Sequence, residues 1–254
     1  MFKTIRIAIL LFLLAAAAVS TWRAKNAAVE WKYPLVVNLY PLNGDASAAS
    51  DAYIKGLSED DFQEIGHFMR EEANRYGRQS SASIEIRLQP ALASLAPAPP
   101  EQGTALDIVW WSLKLRWWAY QHAETTGPGS QVKLLLVYFD PARNASLARS
   151  TALQKGMIGR INVFALRAMA RQNNVVIAHE FLHTLGATDK YDIDTGLPAY
   201  PDGYGEPDRL PLLPQQFAEI MGGRLPRSER EASIPLSLDQ VLIGNKTAQE
   251  INWQ

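Results

Sequence analysis

Residues 175–189 of this 254-residue chain read VVIAHEFLHTLGATD. The stretch places His179 and His183 four residues apart in an apolar segment, so both imidazoles lie on one face of a helix and can converge on one ion. Glu180 is rotated by about 100° from His179 around such a helix, where it can reach a metal-bound water but is poorly placed as a ligand. The stretch therefore predicts a hydrolytic zinc site with two nitrogen ligands, one further ligand, an open position and a base.

The residues around the two histidines predict that this helix is buried. Several positions are bulky and uncharged, namely Val175, Val176, Ile177, Phe181, Leu182 and Leu185. A buried helix that carries two histidines and a glutamate must satisfy or neutralise all three polar groups. A metal ion does so, and the alternative is a core helix whose histidines are held by hydrogen bonds alone.

The third ligand is expected shortly after the helix. Gly186 follows His183 by three residues, where a left-handed residue can end a helix and let the chain turn back. Asp189 lies three residues further on and could then face the two imidazoles. Asp192 is the nearest competing carboxylate, and an ordinary solvated turn aspartate is the alternative interpretation of Asp189.

This H-E-x-x-H-x-x-G-x-x-D layout resembles the metzincin clan of zinc peptidases, in particular the members whose third ligand is aspartate. By that resemblance His179, His183 and Asp189 bind Zn²⁺, and Glu180 is the general base. The resemblance is carried by residues 175–189 and covers the rest of the chain only as an order of helices and strands.

A second metzincin feature is a tight turn with a methionine beneath the metal. Residues 219–223 read EIMGG, and Met221 would fill the irregular space there while the glycines permit a tight turn. Several metzincins place a tyrosine directly after this methionine, whereas this chain has glycines. A tyrosine that stabilises the transition state would come from elsewhere, and the candidates are Tyr191, Tyr200 and Tyr204.

A different zinc arrangement stays open. In the other large group of H-E-x-x-H proteins the third ligand is a glutamate on a later helix. Glu206 and Glu219 lie at suitable distances along the chain, and Glu219 would lie in a short helix that starts near Pro214. This arrangement would give Gly186 no special role.

Residues 1–22 have the features of a signal peptide or of an N-terminal membrane anchor. Lys3 and Arg6 precede an apolar run at 7–19, which suits a signal-peptide core and falls short of the roughly 20 residues of a membrane span. Small residues at 18–20 offer a cleavage site, whereas an apolar run extended to Trp22 would suit an uncleaved anchor at 7–22. In either case we expect the rest of the chain to be exported to the periplasm or the cell exterior.

The amino-acid composition excludes some kinds of catalytic site and of partner. The chain has no cysteine, which excludes thiolate zinc ligands and cysteine nucleophiles. An exported chain of this size can bury an ample core without disulfides. Its net charge is −1, so electrostatics gives no reason to expect nucleic acid as a partner.

Residues 30–254 are predicted to form one catalytic domain of α/β (α+β) class. The order of elements matches the plan of metzincin domains, with a mixed twisted sheet, an active-site helix and a C-terminal helix. The patterns predict strands at 35–40, 83–88, 132–139 and 158–166 and helices at 58–76, 105–123 and 237–251. Surface loops are expected at 91–103 and, near the site, at 196–214.

Two of these elements carry more specific expectations. Seven-residue spacing in the helix at 105–123 aligns Trp110 with Trp117 and Trp111 with Trp118, and we expect this broad face to pack on the sheet. By the resemblance, the strand before the active-site helix is an edge strand that pairs with extended substrate. Residues 159–164 are then expected to line the cleft.

The resemblance implies a zinc-dependent metalloendopeptidase that hydrolyses peptide bonds outside the cytoplasm, with a peptide or protein as its substrate. Two alternatives stay open. One is a non-catalytic, membrane-associated assembly factor that binds zinc. The other is a zinc amidase that acts on cell-wall cross-links by the same chemistry.

Overall fold

The computed structural model describes residues 6–7, 11–12, 29–31, 34–78, 84–100, 102–124, 130–154 and 156–254. Most of the predicted export segment at 1–22 lies outside these residues, as does Ser83 at the start of the second predicted strand. Among the helices within the described ranges, none combines the length and apolar character needed to cross a membrane. Export and the domain boundary at residue 30 stay predictions.

A five-stranded mixed sheet forms the centre of the described residues, which confirms the predicted fold class. The spatial order is β2-β1-β3-β5-β4, in which β4 is antiparallel to β5 and the other neighbours are parallel. The strands are β1 (Leu35–Asn43), β2 (Ile84–Leu88), β3 (Ser130–Phe139), β4 (Thr151–Leu153) and β5 (Ile158–Phe164).

Helices cover both faces of this sheet. They are α1 (Ala48–Lys55), α2 (Gln63–Arg75), α3 (Ala105–His122), α4 (Ala170–Leu185) and α5 (Asn245–Glu250), with 3-10 turns at Glu59–Phe62, Arg167–Met169, Ile220–Gly222 and Leu238–Gln240. Two short strand pairs follow α4, one of β6 (Ala218–Glu219) with β9 (Val241–Leu242) and one of β7 (Leu225–Pro226) with β8 (Ala232–Ser233).

Strand β3 is apolar over residues 134–137 because both of its faces are buried there. Leu134 and Leu136 point into the core shared with α2 and α4, and the alternating Leu135 and Val137 point into the core under α3. The prediction of a central buried strand is confirmed, with β3 in the middle of the sheet. The sheet thus holds α4 rigidly on one face.

The tryptophan-rich helix α3 packs on the sheet with half of its tryptophans. Trp111 and Trp118 are 5% and 8% exposed, whereas Trp110 and Trp117 are 61% and 62% exposed. Adjacent residues are rotated by about 100° around a helix, so the two pairs cannot share one buried stripe. The expectation that all four pack on the sheet is therefore wrong for Trp110 and Trp117.

The prediction of one long C-terminal helix from Ser237 to Ile251 is also wrong. Leu238–Gln240 form a 3-10 turn and β9 follows, so the helix is confined to α5. The buried carboxylate of Glu219 accepts hydrogen bonds from the Gly244 N–H at 3.0 Å and from the Thr247 hydroxyl at 2.6 Å. These long-range bonds fix the start of α5 at Gly244.

Strand β5 is not the edge strand that the resemblance implied. It lies between β3 and β4, and its residues 158–160 pair with both strands. Residues 159–163 are buried, and none of residues 159–164 lines a cavity at the histidines, so the expectation that they line the cleft is wrong. The sheet edge is instead formed by β4, which packs beside α4.

Candidate metal centre

Helix α4 places the two histidines on successive turns and ends where the sequence predicts. Gly186 follows its last residue with a φ of 110°, a left-handed conformation that favours glycine. The Gly186 N–H donates to the carbonyls of Leu182 and His183, and the Ala187 N–H donates to that of Leu182. This is the Schellman pattern, and it turns the chain back toward the exposed side of the histidines.

The chain reversal brings Asp189 to the two imidazoles. Nε2 of His179 lies 3.1 Å from Nε2 of His183. Oδ1 of Asp189 lies 3.2 Å from Nε2 of His179 and 3.1 Å from Nε2 of His183. Atoms that surround a tetrahedral zinc ion at about 2.0–2.1 Å lie roughly 3.3 Å apart, so these three atoms have the spacing of a ligand set.

Backbone carbonyls fix the tautomers of both histidines. Nδ1 of His179 lies 2.8 Å from the Ile220 carbonyl oxygen, and Nδ1 of His183 lies 2.8 Å from that of Ala187. A carbonyl only accepts, so each Nδ1 carries the hydrogen and donates it. Each Nε2 then presents a lone pair to the other and to a carboxylate oxygen. Three acceptors in contact require a proton or a metal ion between them.

The contacts between Asp189 and the two histidines shift the pKa values of Asp189 and His179. Burial acts to raise the pKa of Asp189, but hydrogen bonds with His179 and His183 outweigh it and hold the pKa well below its usual range. Burial acts to lower the pKa of His179, but the hydrogen bonds with Asp189 and Ile220 and the negative charges of Glu180 and Asp189 together outweigh it, so the pKa is raised. The contacts therefore favour a negative Asp189 and a positive His179.

Glu180 lies inside the same cluster. The ligand atoms of His179, Glu180 and His183 all lie within 4.8 Å of one another, so this group could hold a metal ion. Glu180 is 6% exposed, and among the described residues its Oε2 has no hydrogen-bond partner. Burial raises the pKa of its carboxyl. A buried, unpaired carboxylate oxygen indicates that a bound ion or water belongs beside it.

The turn predicted around Met221 supports His179 from below. Ile220–Gly222 form a 3-10 turn that packs against α4, with Met221 fully buried and Gly223 left-handed at φ 70°. A Cβ on Gly222 would lie 2.4 Å from the Gly203 carbonyl oxygen, so a side chain there would displace the backbone. The turn aims the Ile220 carbonyl at His179 and so orients the imidazole.

The competing carboxylates are engaged elsewhere. Asp192 accepts from the backbone N–H of Thr195 at 2.8 Å in its own turn. Glu206 accepts from the backbone N–H of Gln216 at 2.7 Å. Glu219, as described above, holds the start of α5. Within the described ranges none of the three joins the histidines.

Of the three candidate tyrosines, the structure brings Tyr191 to the centre. Burial, with a further contribution from the neighbouring charge of Asp189, raises the pKa of Tyr191 to about 12. Tyr200 is exposed and packs edge-on against Tyr204 with ring centroids 5.4 Å apart, at a different cavity.

Two cavities meet at the cluster. One of about 210 Å³ lies over the histidines and Asp189 and is walled by Thr151 and Ala152 of β4. The other, of about 310 Å³, borders His179 and Glu180. Arg149 and Ser150 line both cavities. The sequence patterns do not identify Arg149, because a lone arginine outside any motif gives no local signal.

Glu250 of α5 is a second residue that the sequence does not reveal. Its carboxylate accepts from the Thr188 N–H at 2.9 Å and hydroxyl at 2.7 Å, and from Nζ of Lys190 at 2.8 Å. Both neighbours of Asp189 are therefore fixed by one carboxylate. The contact joins residues about sixty positions apart, which no local pattern encodes.

Comparison of the chain with protein-family models and with curated proteins gives no match. The centre is therefore interpreted from its own geometry. That geometry establishes a partly buried His179–Glu180–His183 group that could hold a metal ion, with Asp189 and Tyr191 beside it.

Proposed function

We propose that this chain is a zinc-dependent metallopeptidase that hydrolyses peptide bonds, outside the cytoplasm if the predicted export segment at 1–22 acts as such. The observation that carries the proposal is the contact of three acceptor atoms, from His179, His183 and Asp189, at ligand spacing beside an unpaired carboxylate oxygen of Glu180. A structural site would need no such free carboxylate, whereas a hydrolytic site needs a base.

In this proposal His179, His183 and Asp189 hold the ion, and Glu180 does not. The Asp189 oxygen is in contact with both imidazole nitrogens. Two imidazoles and one carboxylate, without sulfur, are a donor set that suits zinc. Bound zinc would polarise a carbonyl and lower the pKa of a coordinated water.

Glu180 is proposed as the general base and then the general acid. Its buried Oε2 has no partner among the described residues and is free to accept a proton from the attacking water. Burial raises the pKa of this carboxyl, which makes the carboxylate a stronger base and also lets it hold the proton until the leaving nitrogen takes it.

Tyr191 is proposed as a donor to the oxygen that becomes negative in the transition state. Its raised pKa of about 12 keeps the hydroxyl protonated at neutral pH, so it remains a hydrogen-bond donor. It lines both cavities together with His179 and Glu180.

The edge strand β4 supports an extended peptide as substrate. It is the last strand of the described sheet, and Thr151 and Ala152 line the cavity over the histidines. A peptide that added to this edge would place its backbone beside the metal ligands, with main-chain hydrogen bonds supplying affinity.

The test is cleavage of a peptide library by the zinc-loaded protein, followed by mass spectrometry, with Glu180→Gln and the exposed Glu229→Gln as a matched pair. We expect Glu180→Gln to bind zinc normally and to lose about 10²- to 10⁴-fold in the rate of hydrolysis, because it lacks the base. Glu229→Gln is expected to behave as the wild type.

Wild-type rates for Glu180→Gln would contradict the mechanism. Zinc binding without cleavage of any peptide would contradict the peptidase and favour the non-catalytic zinc-binding factor. Cleavage restricted to cell-wall cross-links, measured on purified cell-wall fragments, would favour the amidase.

A further inference from the structure

The cavity of about 310 Å³ beside the proposed catalytic group has a distinctive lining. Its walls include the apolar side chains of Val175, Val176, Ile220 and Ile234. Two arginines, Arg149 and Arg224, also line it. A cavity of this size lies at the lower end of the range for small-molecule sites, so it suits one amino-acid side chain.

The two arginines of this cavity face one carboxylate, that of Glu180, and the charge of Arg149 acts to lower the pKa of Glu180. Glu180 is the acidic residue among its described lining residues, and neither Arg149 nor Arg224 forms an ion pair with another described residue. Some other described arginines do have acidic partners, as in the pairs of Arg167 with Asp61 and of Arg209 with Glu206. Two unpaired guanidinium groups at one cavity favour an anionic ligand.

The positions of Arg149 and Arg224 indicate where along a bound substrate this anionic group would lie. Arg149 lines both the cavity at the metal ligands and the larger one, so it stands where the two meet. Arg224 lies against the turn at Gly196, where an added Cβ would be 3.7 Å from its guanidinium carbon. An anionic side chain held in this cavity would belong to a residue next to the scissile bond.

We propose that this cavity selects substrates with an acidic side chain, glutamate in particular, at a residue that adjoins the scissile bond. Arg149 and Arg224 are its specificity-determining residues, and the assignment rests on the proposed peptidase function. A planar guanidinium binds a carboxylate through two parallel hydrogen bonds. The apolar walls would pack against the methylene groups of glutamate.

The test measures binding rather than turnover first. Fluorescence anisotropy with zinc-loaded Glu180→Gln would compare labelled peptides that are identical except for Glu or Gln at one position, scanned along the peptide. At one position the Glu peptide is expected to bind about tenfold more tightly, as a charged hydrogen-bonded pair would give. The preference should weaken at high salt, because these arginines are solvent-accessible.

Variants then identify the cause of the preference. Arg224→Gln in the same protein should reduce the tenfold difference to near unity, whereas Arg230→Gln, an exposed arginine outside this cavity, should leave it intact. Arg224→Glu should reverse the preference in favour of Lys peptides. A melting curve for each variant checks that it is folded.

The outcomes separate this inference from the proposed function. Equal binding of Glu and Gln peptides at every position, no binding of either, or an unchanged preference in Arg224→Gln would overturn the inference. Hydrolysis by the wild type with kcat/KM independent of the acidic residue would also overturn it and leave the peptidase standing. Preferential binding of Glu peptides without hydrolysis by the wild type would support the cavity and overturn the peptidase.

Discussion

At the scale of single residues, the centre consists of groups that cannot face one another without a cation. Carbonyls of Ile220 and Ala187 take the Nδ1 hydrogens, and Nε2 of each histidine then meets the other and Asp189 at 3.1–3.2 Å. Repulsion between lone pairs in a partly buried site is relieved by a proton or a metal ion. The same three side chains are the ligands in the proposed zinc site.

The role of Asp189 gives a direct prediction. Asp189→Asn should weaken zinc binding by at least about 100-fold, since replacing a carboxylate ligand costs more than the 10- to 100-fold of an outer-shell change. The measurement is competition with a chromophoric zinc chelator. Asp192→Asn is the matched control, because Asp192 bonds only to its own turn among the described residues. A larger loss in Asp192→Asn than in Asp189→Asn would contradict the ligand assignment.

The residues of the centre differ in how far the sequence predicts them. His179, Glu180, His183 and Asp189 fall within eleven positions, and helix periodicity with one glycine stop places all four. Arg149 lies two residues before β4, and the position of β4 in the sheet brings it to the site. Its place depends on sheet pairing, which no short-range pattern encodes.

At the scale of elements, two devices aim Asp189 at the histidines. The left-handed Gly186 reverses the chain after α4, and Glu250 of α5 holds Thr188 and Lys190 on either side of the ligand. The first acts through backbone conformation and the second through charged hydrogen bonds. Each can be removed separately.

Gly186→Ala should lower the free energy of unfolding by about 1–2 kcal/mol, because its φ of 110° is strained for a residue with a Cβ. It should also weaken zinc binding. Gly77→Ala provides the control, since Gly77 is left-handed at φ 73° beyond the end of α2 and has no part in the site. Chemical denaturation and zinc titration of both variants are the measurements. Equal zinc affinities in the two variants would contradict a positioning role for Gly186.

Glu250→Gln should destabilise the protein by about 2 kcal/mol at pH 7, because Lys190 loses its charged partner. Burial acts to raise the pKa of Glu250, but the bonds from Lys190 and Thr188 outweigh it and lower the pKa. A lowered folded-state pKa gives stability that is present above the unfolded value of about 4.3 and lost as pH falls through the folded value.

The difference between wild type and Glu250→Gln in denaturation should therefore shrink progressively as the pH falls below about 4.3. Glu229→Gln, which is exposed, should show no such difference at any pH. A difference for Glu250→Gln that stays constant from pH 7 to acid would contradict the ionic origin of the effect.

The longer strands and the helices α2, α3 and α4 were predictable, whereas α1, β4 and the short strands β6–β9 were not. Alternating and continuous apolar runs predict β1, β2, β3 and β5, and the capping box of Ser58 with Asp61 marks the start of the turn before α2. The short edge strand β4 and the interruption before α5 were missed. Both depend on distant partners, β5 in one case and the Glu219 carboxylate in the other.

At the scale of the whole molecule, an ion at this centre would join parts of the chain that are distant in sequence. Helix α4 provides two ligands, the loop held by α5 provides Asp189, and the Ile220–Gly222 turn orients His179. Binding that requires the folded arrangement must stabilise it. The unfolding transition therefore reports on the centre.

Zinc should raise the unfolding temperature, by an amount that corresponds to about 2.7 kcal/mol when free zinc is 100 times its Kd. Scanning calorimetry with chelator and with buffered zinc measures the shift. His183→Ala should show no shift, because one ligand is gone. An equal shift in His183→Ala would mean that the stabilising zinc binds elsewhere.

The central claim is that His179, His183 and Asp189 form the zinc site and leave Glu180 free. Anomalous X-ray diffraction at the zinc edge from zinc-loaded crystals tests it most directly. The account predicts one strong peak about 2.0–2.2 Å from both Nε2 atoms and from an Asp189 carboxylate oxygen, with Glu180 outside bonding distance. A peak bonded to Glu180 in place of Asp189, or no peak at the histidines, would contradict it.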